Sequence, residues 1–296
     1  MNWKAIARSA IGTSHTKQDI PCQDYSDYKI INDAIIGVVA DGAGSAKHSD
    51  VGARLAVNTV LEAVTERDII AIANSYRNDN NSNTQKPNNY LEQVCNLLKN
   101  PNRQSIYQTT ITLARNKEQL EELFINLVKK VVTALKQEAA IKKYSLDDLA
   151  CTLLIVIATP KKIAAMQIGD GFITVRYPKQ ELQLLFPPDK GEYINETTFV
   201  TSSNALEDMK VVIQPGQPEF ICASTDGLER LAIRLSDSTP FSPFFQPLEQ
   251  YLRETENLKS DKYLEDFLNS DRLNARTDDD KTLFLCLYDR SDSPQQ

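Results

Sequence analysis

The sequence predicts an α+β fold, on three observations. Residues 35–64 run from a β-branched apolar stretch through Asp41-Gly42 into a helical pattern. Residues 117–143 hold the strongest amphipathic helix of the chain. From residue 149 onward the texture turns to short apolar runs with turn-sized gaps between them, the pattern of antiparallel strands.

Taken in order, residues 3–9 alternate apolar Trp3, Ala5 and Ala7 with Lys4, Ile6 and Arg8, which suggests an edge strand. A polar loop over 12–24 follows; it contains His15, Lys17 and Pro21 and ends in Gln23-Asp24. Residues 35–40 read as a buried strand that stops at Asp41-Gly42, and two nearby glycines, Gly42 and Gly44, suggest backbone conformations that a side chain would forbid. A helix is expected over 49–67, with Ala53, Val57, Val60, Leu61 and Val64 on one face and Ser49 and Asp50 capping its first turn. Residues 74–89 are rich in Asn and too polar to offset the entropy of ordering, so they read as an exposed insertion. In 117–143 the residues Leu120, Leu123, Phe124, Leu127, Val128, Val131, Leu135 and Ala139 share a face that must be core.

Strands are expected over 150–159, 162–170, 172–177 and 181–186 as a meander, then over 211–215 and 219–225 beyond a polar loop at 187–209. Helical patterns cover 228–234, 244–253 and 262–268, and Asp278, Asp279 and Asp280 precede a last apolar strand over 283–288.

Bulk properties narrow the function. The chain has 296 residues, 41% hydrophobic and 25% charged, ordinary values for a globular protein. A formal net charge of −7 argues against general nucleic-acid binding, which needs a basic surface. No apolar run is long enough to span a bilayer, and residues 1–14 lack a secretory h-region, so no membrane partner and a cytoplasmic location are expected. Five scattered cysteines form no CxxC pair and point to neither a disulfide framework nor a thiolate zinc site.

The acids carry the chemistry. Asp41, Asp170 and Asp226 each follow an apolar strand and precede a glycine, and Asp278–Asp280 lead into one. An Asp-Gly pair alone is an ordinary tight turn, but together these suggest strand ends converging on one acidic site. Two carboxylates about 4 Å apart repel by roughly 4 kcal/mol at an effective dielectric near 20, so a cluster calls for cations. Oxygen donors without Cys or His favour Mg²⁺ or Mn²⁺ over zinc. P-loop, dinucleotide-binding and G-x-S-x-G motifs are absent from the sequence.

In these residues the chain resembles the metal-dependent PPM, or type 2C, protein serine/threonine phosphatases, in particular a bacterial branch. VVADGAGS is similar to the family's strand-plus-DG motif, ACTLL to its Gly-Ser/Thr-Thr strand start, IGDGFITVR to its GDSR-like motif, ASTDGLER to its SDG motif, and DDKT at 279–282 to its terminal DNxT motif, all in family order. The resemblance implies a four-layer α-β-β-α sandwich, two antiparallel sheets flanked by helices, as a single domain over 1–290 with a polar insertion around 74–118 and a tail at 291–296. It implies hydrolysis of phosphoserine and phosphothreonine at a centre of two Mn²⁺ or Mg²⁺ ions, with a possible third, and hence a phosphorylated protein substrate and a cognate kinase.

By the same resemblance Asp41 bridges two ions, the Gly42 carbonyl joins one, Asp226 and Asp279 hold the other, Asp170 matches a third site, and Asp24 lies near the second. Asp278 and Asp280 are left as solvated charges. Gln23 stands where many relatives have Glu, Ala43 where some have a histidine, and the usual phosphate-binding Arg has no match; His15 or Lys17 is the expected substitute. Glu192, Tyr193 and Asn195, in the loop at 187–209, are expected to select substrate. A catalytically weak PPM-like module that binds phosphoproteins is the alternative reading.

Overall fold

The computed structural model describes residues 2–74, 103–186, 197–234 and 236–289. The strands are β1 (Asn2–Ala10), β2 (Tyr25–Ile31), β3 (Ala34–Ala40), β4 (Leu153–Thr159), β5 (Lys162–Ile168), β6 (Phe172–Arg176), β7 (Gln183–Leu184), β8 (Lys210–Pro215), β9 (Phe220–Ser224), β10 (Ile233–Arg234), β11 (Thr239–Pro240) and β12 (Lys281–Asp289). The helices are α1 (Thr13–Gln18), α2 (Ser49–Ala63), α3 (Glu66–Asn74), α4 (Arg103–Lys142), α5 (Glu229–Ala232), α6 (Ser242–Glu254), α7 (Tyr263–Leu268) and α8 (Asp271–Asn274). Among the described residues no helix is long and apolar enough to cross a membrane.

Ten strands form two antiparallel five-stranded sheets, ordered β1-β12-β9-β6-β7 and β2-β3-β4-β5-β8, while β10 and β11 make a small ribbon. The two sheets stack with helices on both outer faces, giving the four-layer sandwich. Strand β3 shows how. All seven of its residues are buried, because each of its faces is covered. Ile36 and Val38 face α2 and α4, packing with Val57, Val60, Phe124, Val131 and Leu135. Ile35 and Val39 face the other sheet, packing with Ile173, Ile221 and Phe284. Beyond that sheet, Phe220, Leu283 and Leu285 pack with Leu248 and Leu252 of α6 and with Leu264 and Leu268 of α7. Gly37 lies between the sheets, where a Cβ would sit 2.1 Å from Phe284 Cε1, so the ring occupies the space a side chain would need.

Several expectations change. The meander is not one sheet: β4 and β5 pair in the second sheet, whereas β6 and β7 lie in the first. The chain changes sheet at Gly169-Asp170-Gly171. Strand periodicity reports which face is buried but not which sheet a strand joins, so the sequence carried no signal for this. The helix expected over 49–67 breaks after Ala63, and α3 starts afresh. The break is capped locally: the Thr65 N–H donates to Asp68 Oδ2 at 2.8 Å and the Asp68 N–H to Thr65 Oγ1 at 3.4 Å, the reciprocal bonds of a capping box. The cap position of α2 is His48, and Ser49 is buried with its Oγ unpartnered. The loop at 12–24 contains the short helix α1. Residues 233–234 leave α5 to pair with β11 rather than continue as helix. Neither Gly42 nor Gly44 has a positive φ; among the described residues Gly169 and Gly216 are the glycines that do. The insertion expected at 74–89 lies outside the described residues beyond Asn74.

Candidate functional site

Strand register brings the acids to one end of the sandwich. In the second sheet the end of β3 at Ala40 lies opposite the start of β2 at Tyr25, and the end of β5 at Ile168 lies opposite the start of β4 at Leu153. In the first sheet Lys281 at the start of β12 lies opposite Ala10 at the end of β1, and Ser224 at the end of β9 pairs with Leu283 and Phe172. Asp24, Asp41, Asp170, Asp226 and Asp279 each sit one or two residues beyond these ends.

Asp41 is pinned through its backbone. Its N–H donates to Thr152 Oγ1 at 3.0 Å and its carbonyl accepts from Thr152 N at 2.8 Å. The next two residues continue the zip, Gly42 N to Gln23 O at 3.1 Å and Ala43 N to Ala150 O at 2.9 Å. Asp24 is buried, with 4% of its surface exposed, and accepts from Thr225 Oγ1 at 2.7 Å. Asp226 opens a single 3-10 turn after β9. Asp170 is exposed, and its Oδ2 accepts from Thr197 Oγ1 at 2.6 Å. Its turn is stitched by Gln167, whose Nε2 donates to the carbonyls of Gly169 and Gly171 at 2.8 Å each.

The electrostatics show that four of these carboxyls act on one another across the sheets. Burial pushes Asp41 well above the usual carboxylate range, and the charges of Asp24, Asp226 and Asp279 push it further. Burial raises Asp24 to about 8; the Thr225 hydroxyl opposes the rise and Asp280 adds to it. Asp226 is raised to about 6, by burial first and then by Asp170 and Asp279. Asp279, nearer solvent, is raised by lost hydration and by Asp280. Asp41 and Asp226 act on each other directly: Asp226 raises Asp41 further, and Asp41 opposes the rise of Asp226. The structure therefore gathers Asp24, Asp41, Asp226 and Asp279 into one cleft, with Asp170 beside Asp226.

Such a cleft is costly in protein alone. Asp24 Oδ1 and Gln23 Oε1 are buried and have no hydrogen-bond partner, an omission worth roughly 1–3 kcal/mol for each neutral group and more for a charged one. A hard divalent cation satisfies such oxygens and cancels the repulsion, so the donor set fits Mg²⁺ or Mn²⁺. Among the described residues no three Asp, Glu, His or Cys side chains converge as they stand closely enough to hold an ion.

Two expected phosphate contacts are placed differently from each other. His15 lies on α1 with Nδ1 3.0 Å from Asp280 Oδ2, so it faces an acid of the chain itself. Lys17 is exposed on the same helix. Asp280 is not the solvated charge expected: it is 3% exposed and accepts two backbone N–H bonds. Glu192, Tyr193 and Asn195 lie outside the described residues. Sequence reasoning also missed Glu229, which is half-buried and raised by burial and by Asp226 and Asp170; its place three residues after Asp226 was the available signal.

The sequence profile of the family described as Protein phosphatase 2C matches residues 11–269. Serine/threonine-protein phosphatase 3 of Escherichia coli (strain K12) is 32% identical over 296 residues, an alignment covering 97% of this chain and 99% of that protein. Among solved structures, the serine/threonine phosphatase Stp1 from Staphylococcus aureus is similar with a TM-score of 0.54 and 11% identity, covering 98% of this chain and 96% of that one. A bacterial serine phosphatase gives a TM-score of 0.54 and 11% identity, covering 99% and 100% of the two chains. At that identity the structural likeness speaks for the fold.

Proposed function

Because this chain belongs to the protein phosphatase 2C family, we propose that it hydrolyses phosphoserine and phosphothreonine in protein substrates, at a centre built on Asp41, Asp226 and Asp279. The observation that carries the proposal is the meeting of Asp24, Asp41, Asp226 and Asp279, from both sheets, in one cleft where each raises another's pKa. Bound there, two Mn²⁺ or Mg²⁺ ions, with a third at Asp170, would lower the pKa of a water and clamp the phosphoryl group for in-line displacement.

The chain's own residues do the rest. Asp41 feels the charges of both Asp24 and Asp226, so its carboxylate would be the one shared by two cations, and the zip of 41–43 against Ala150, Thr152 and Gln23 holds its backbone in place. Asp226 and Asp279 would supply charge from the end of the first sheet and Asp24 from the end of the second. The carbonyl of Gly42 is the expected neutral donor. Water attacks phosphorus as the ester oxygen leaves, so no covalent intermediate on a side chain is needed. Ala43 offers no acid to protonate the leaving oxygen, which leaves that proton to solvent.

The test is Mn²⁺-dependent hydrolysis of a small aryl phosphate and of a phosphopeptide by wild type, Asp41→Asn, Asp226→Asn and Asp279→Asn. Wild-type turnover that depends on the ion and falls at least 100-fold in each variant is expected. Full turnover in all three variants would sink the proposal.

A further inference from the structure

The segment joining β1 to β2 crosses from the first sheet to the second directly over the acidic end, and it is fastened there by residues 278–281. Asp280 does most of the fastening. Its Oδ1 accepts from Gly12 N at 2.6 Å and its Oδ2 from Gln23 N at 2.6 Å, so one carboxylate holds both ends of the crossing. His15 Nδ1 lies 3.0 Å from the same Oδ2. Around this, Ser14 N and Oγ both donate to Asp278 O, at 2.9 and 2.7 Å, and the buried Lys281 Nζ donates to Ile11 O at 3.4 Å. The fit leaves no slack: a Cβ on Gly12 would lie 2.4 Å from both Asp278 O and Asp279 C.

A carboxylate is an unusual choice for so buried a position, since losing its hydration costs several kcal/mol. Two backbone N–H donors compensate, since bonds to an ionised acceptor are roughly twice as strong as neutral ones. What the bonds hold is informative. Gln23, gripped by its N–H, precedes Asp24 and also lends its carbonyl to Gly42 N, so the same peptide stretch sets Asp24, the unpartnered Gln23 Oε1 and the turn after Asp41.

We propose that Asp280 is a positioning residue: it clamps the crossing between Gly12 and Gln23 and thereby delivers Asp24 and Gln23 to the cleft. The functional consequence rests on the metal-centre reading above, whereas the clamp itself is a property of the metal-free chain, and the two are tested separately.

Amide hydrogen exchange in wild type without added metal is the first measurement. The Gly12 and Gln23 amides should be protected at least 100-fold relative to the exposed amides of α1; exchange at exposed-loop rates overturns the clamp whatever the metals do. Asp280→Ala, which removes both acceptor oxygens, should speed exchange at these two amides at least ten-fold while β3, β4 and β5 stay unchanged. The same variant should weaken Mn²⁺ binding in equilibrium dialysis about ten-fold, the range seen when residues supporting metal ligands are lost, and excess Mn²⁺ should restore most of kcat. Mn²⁺ binding equal to wild type overturns the positioning role. Should Asp280→Ala fail to fold, Asp280→Asn keeps one acceptor oxygen for the two donors and should speed exchange at one of the two amides; unchanged exchange at both overturns the proposal. A wild type that binds no Mn²⁺ defeats the metal-centre reading instead, and leaves amide protection to decide on the clamp.

Discussion

Replacing Asp24 by Asn should flatten the pH dependence of the metal-free protein's stability. Asp24 is 4% exposed, and burial raises its carboxyl to about 8 from an ordinary 3.8. The sign follows from proton counting. Below the unfolded value both states hold the proton and the fold has its full stability. Between the unfolded and folded values the unfolded chain has released the proton and the folded one keeps it, so stability falls as pH rises; above the folded value it is level again. One proton corresponds to about 1.4 kcal/mol per pH unit, so between pH 5.5 and 7.5 the wild type should lose about 3 kcal/mol through this residue alone. Asp41 and Asp226 are raised too and steepen the decline. Asn cannot ionise and keeps an oxygen for the Thr225 hydroxyl, so the variant should escape that loss and gain about 3 kcal/mol on the wild type between pH 5.5 and 7.5. Urea unfolding in EDTA at several pH values reads this directly. Trp3, the single tryptophan, is buried edge-on against Tyr288 and reports the transition by fluorescence. If wild type and variant keep the same stability difference from pH 5.5 to 7.5, Asp24 does not hold its proton in the cleft and the electrostatic argument for cations loses its main support.

Other outcomes follow from the same geometry. Gly37→Ala places a methyl against the Phe284 ring and should cost about 1–3 kcal/mol of stability as overpacking, with partial recovery on adding Phe284→Leu; an unmoved urea midpoint would contradict the inter-sheet packing. Gln23→Glu adds a carboxylate beside Asp24 and should lower the metal-free melting temperature while tightening Mn²⁺ binding about ten-fold, a contrast a calorimetric titration would expose. Thr152→Val removes the acceptor for Asp41 N–H and should cost about 1–3 kcal/mol, with Mn²⁺-dependent turnover falling more than stability would explain. Loss of stability without any loss in turnover would show that the Asp41 peptide needs no anchoring.

How much of this was legible before the fold is best seen in two neighbours, Asp279 and Asp280. The strand-then-Asp-Gly pattern marks Asp41, Asp170 and Asp226, because a buried strand must end in a turn and the turn residue is then carried at the sheet's edge. The DDKT match singles out Asp279 in the same way. Asp280 reads as one more solvated charge in a run of three, because nothing local tells it from Asp278. Only the pairing of β1 with β12 brings Gly12 to it, and only the crossing to β2 brings Gln23, both far away in sequence. The same limit explains the sheet assignments. Apolar periodicity in residues 150–186 correctly marks buried faces, but β5 and β6 belong to different sheets because of a turn stitched by the Gln167 side chain, which no periodicity records. Likewise the break after Ala63 depends on a single hydroxyl and carboxylate pair, Thr65 with Asp68, within a pattern that otherwise continues as helix.

The central claim is that the acids gathered at the end of the sandwich exist to hold the cations of a phosphatase. Counting bound Mn²⁺ by equilibrium dialysis in wild type and in Asp41→Asn, with aryl phosphate turnover measured on the same samples, tests it most directly. The expected result is at least two ions per wild-type chain and ion-dependent turnover, with at least one ion and nearly all turnover lost in the variant. An Asp41→Asn protein that binds as many ions as wild type and turns over substrate at the same rate would contradict it.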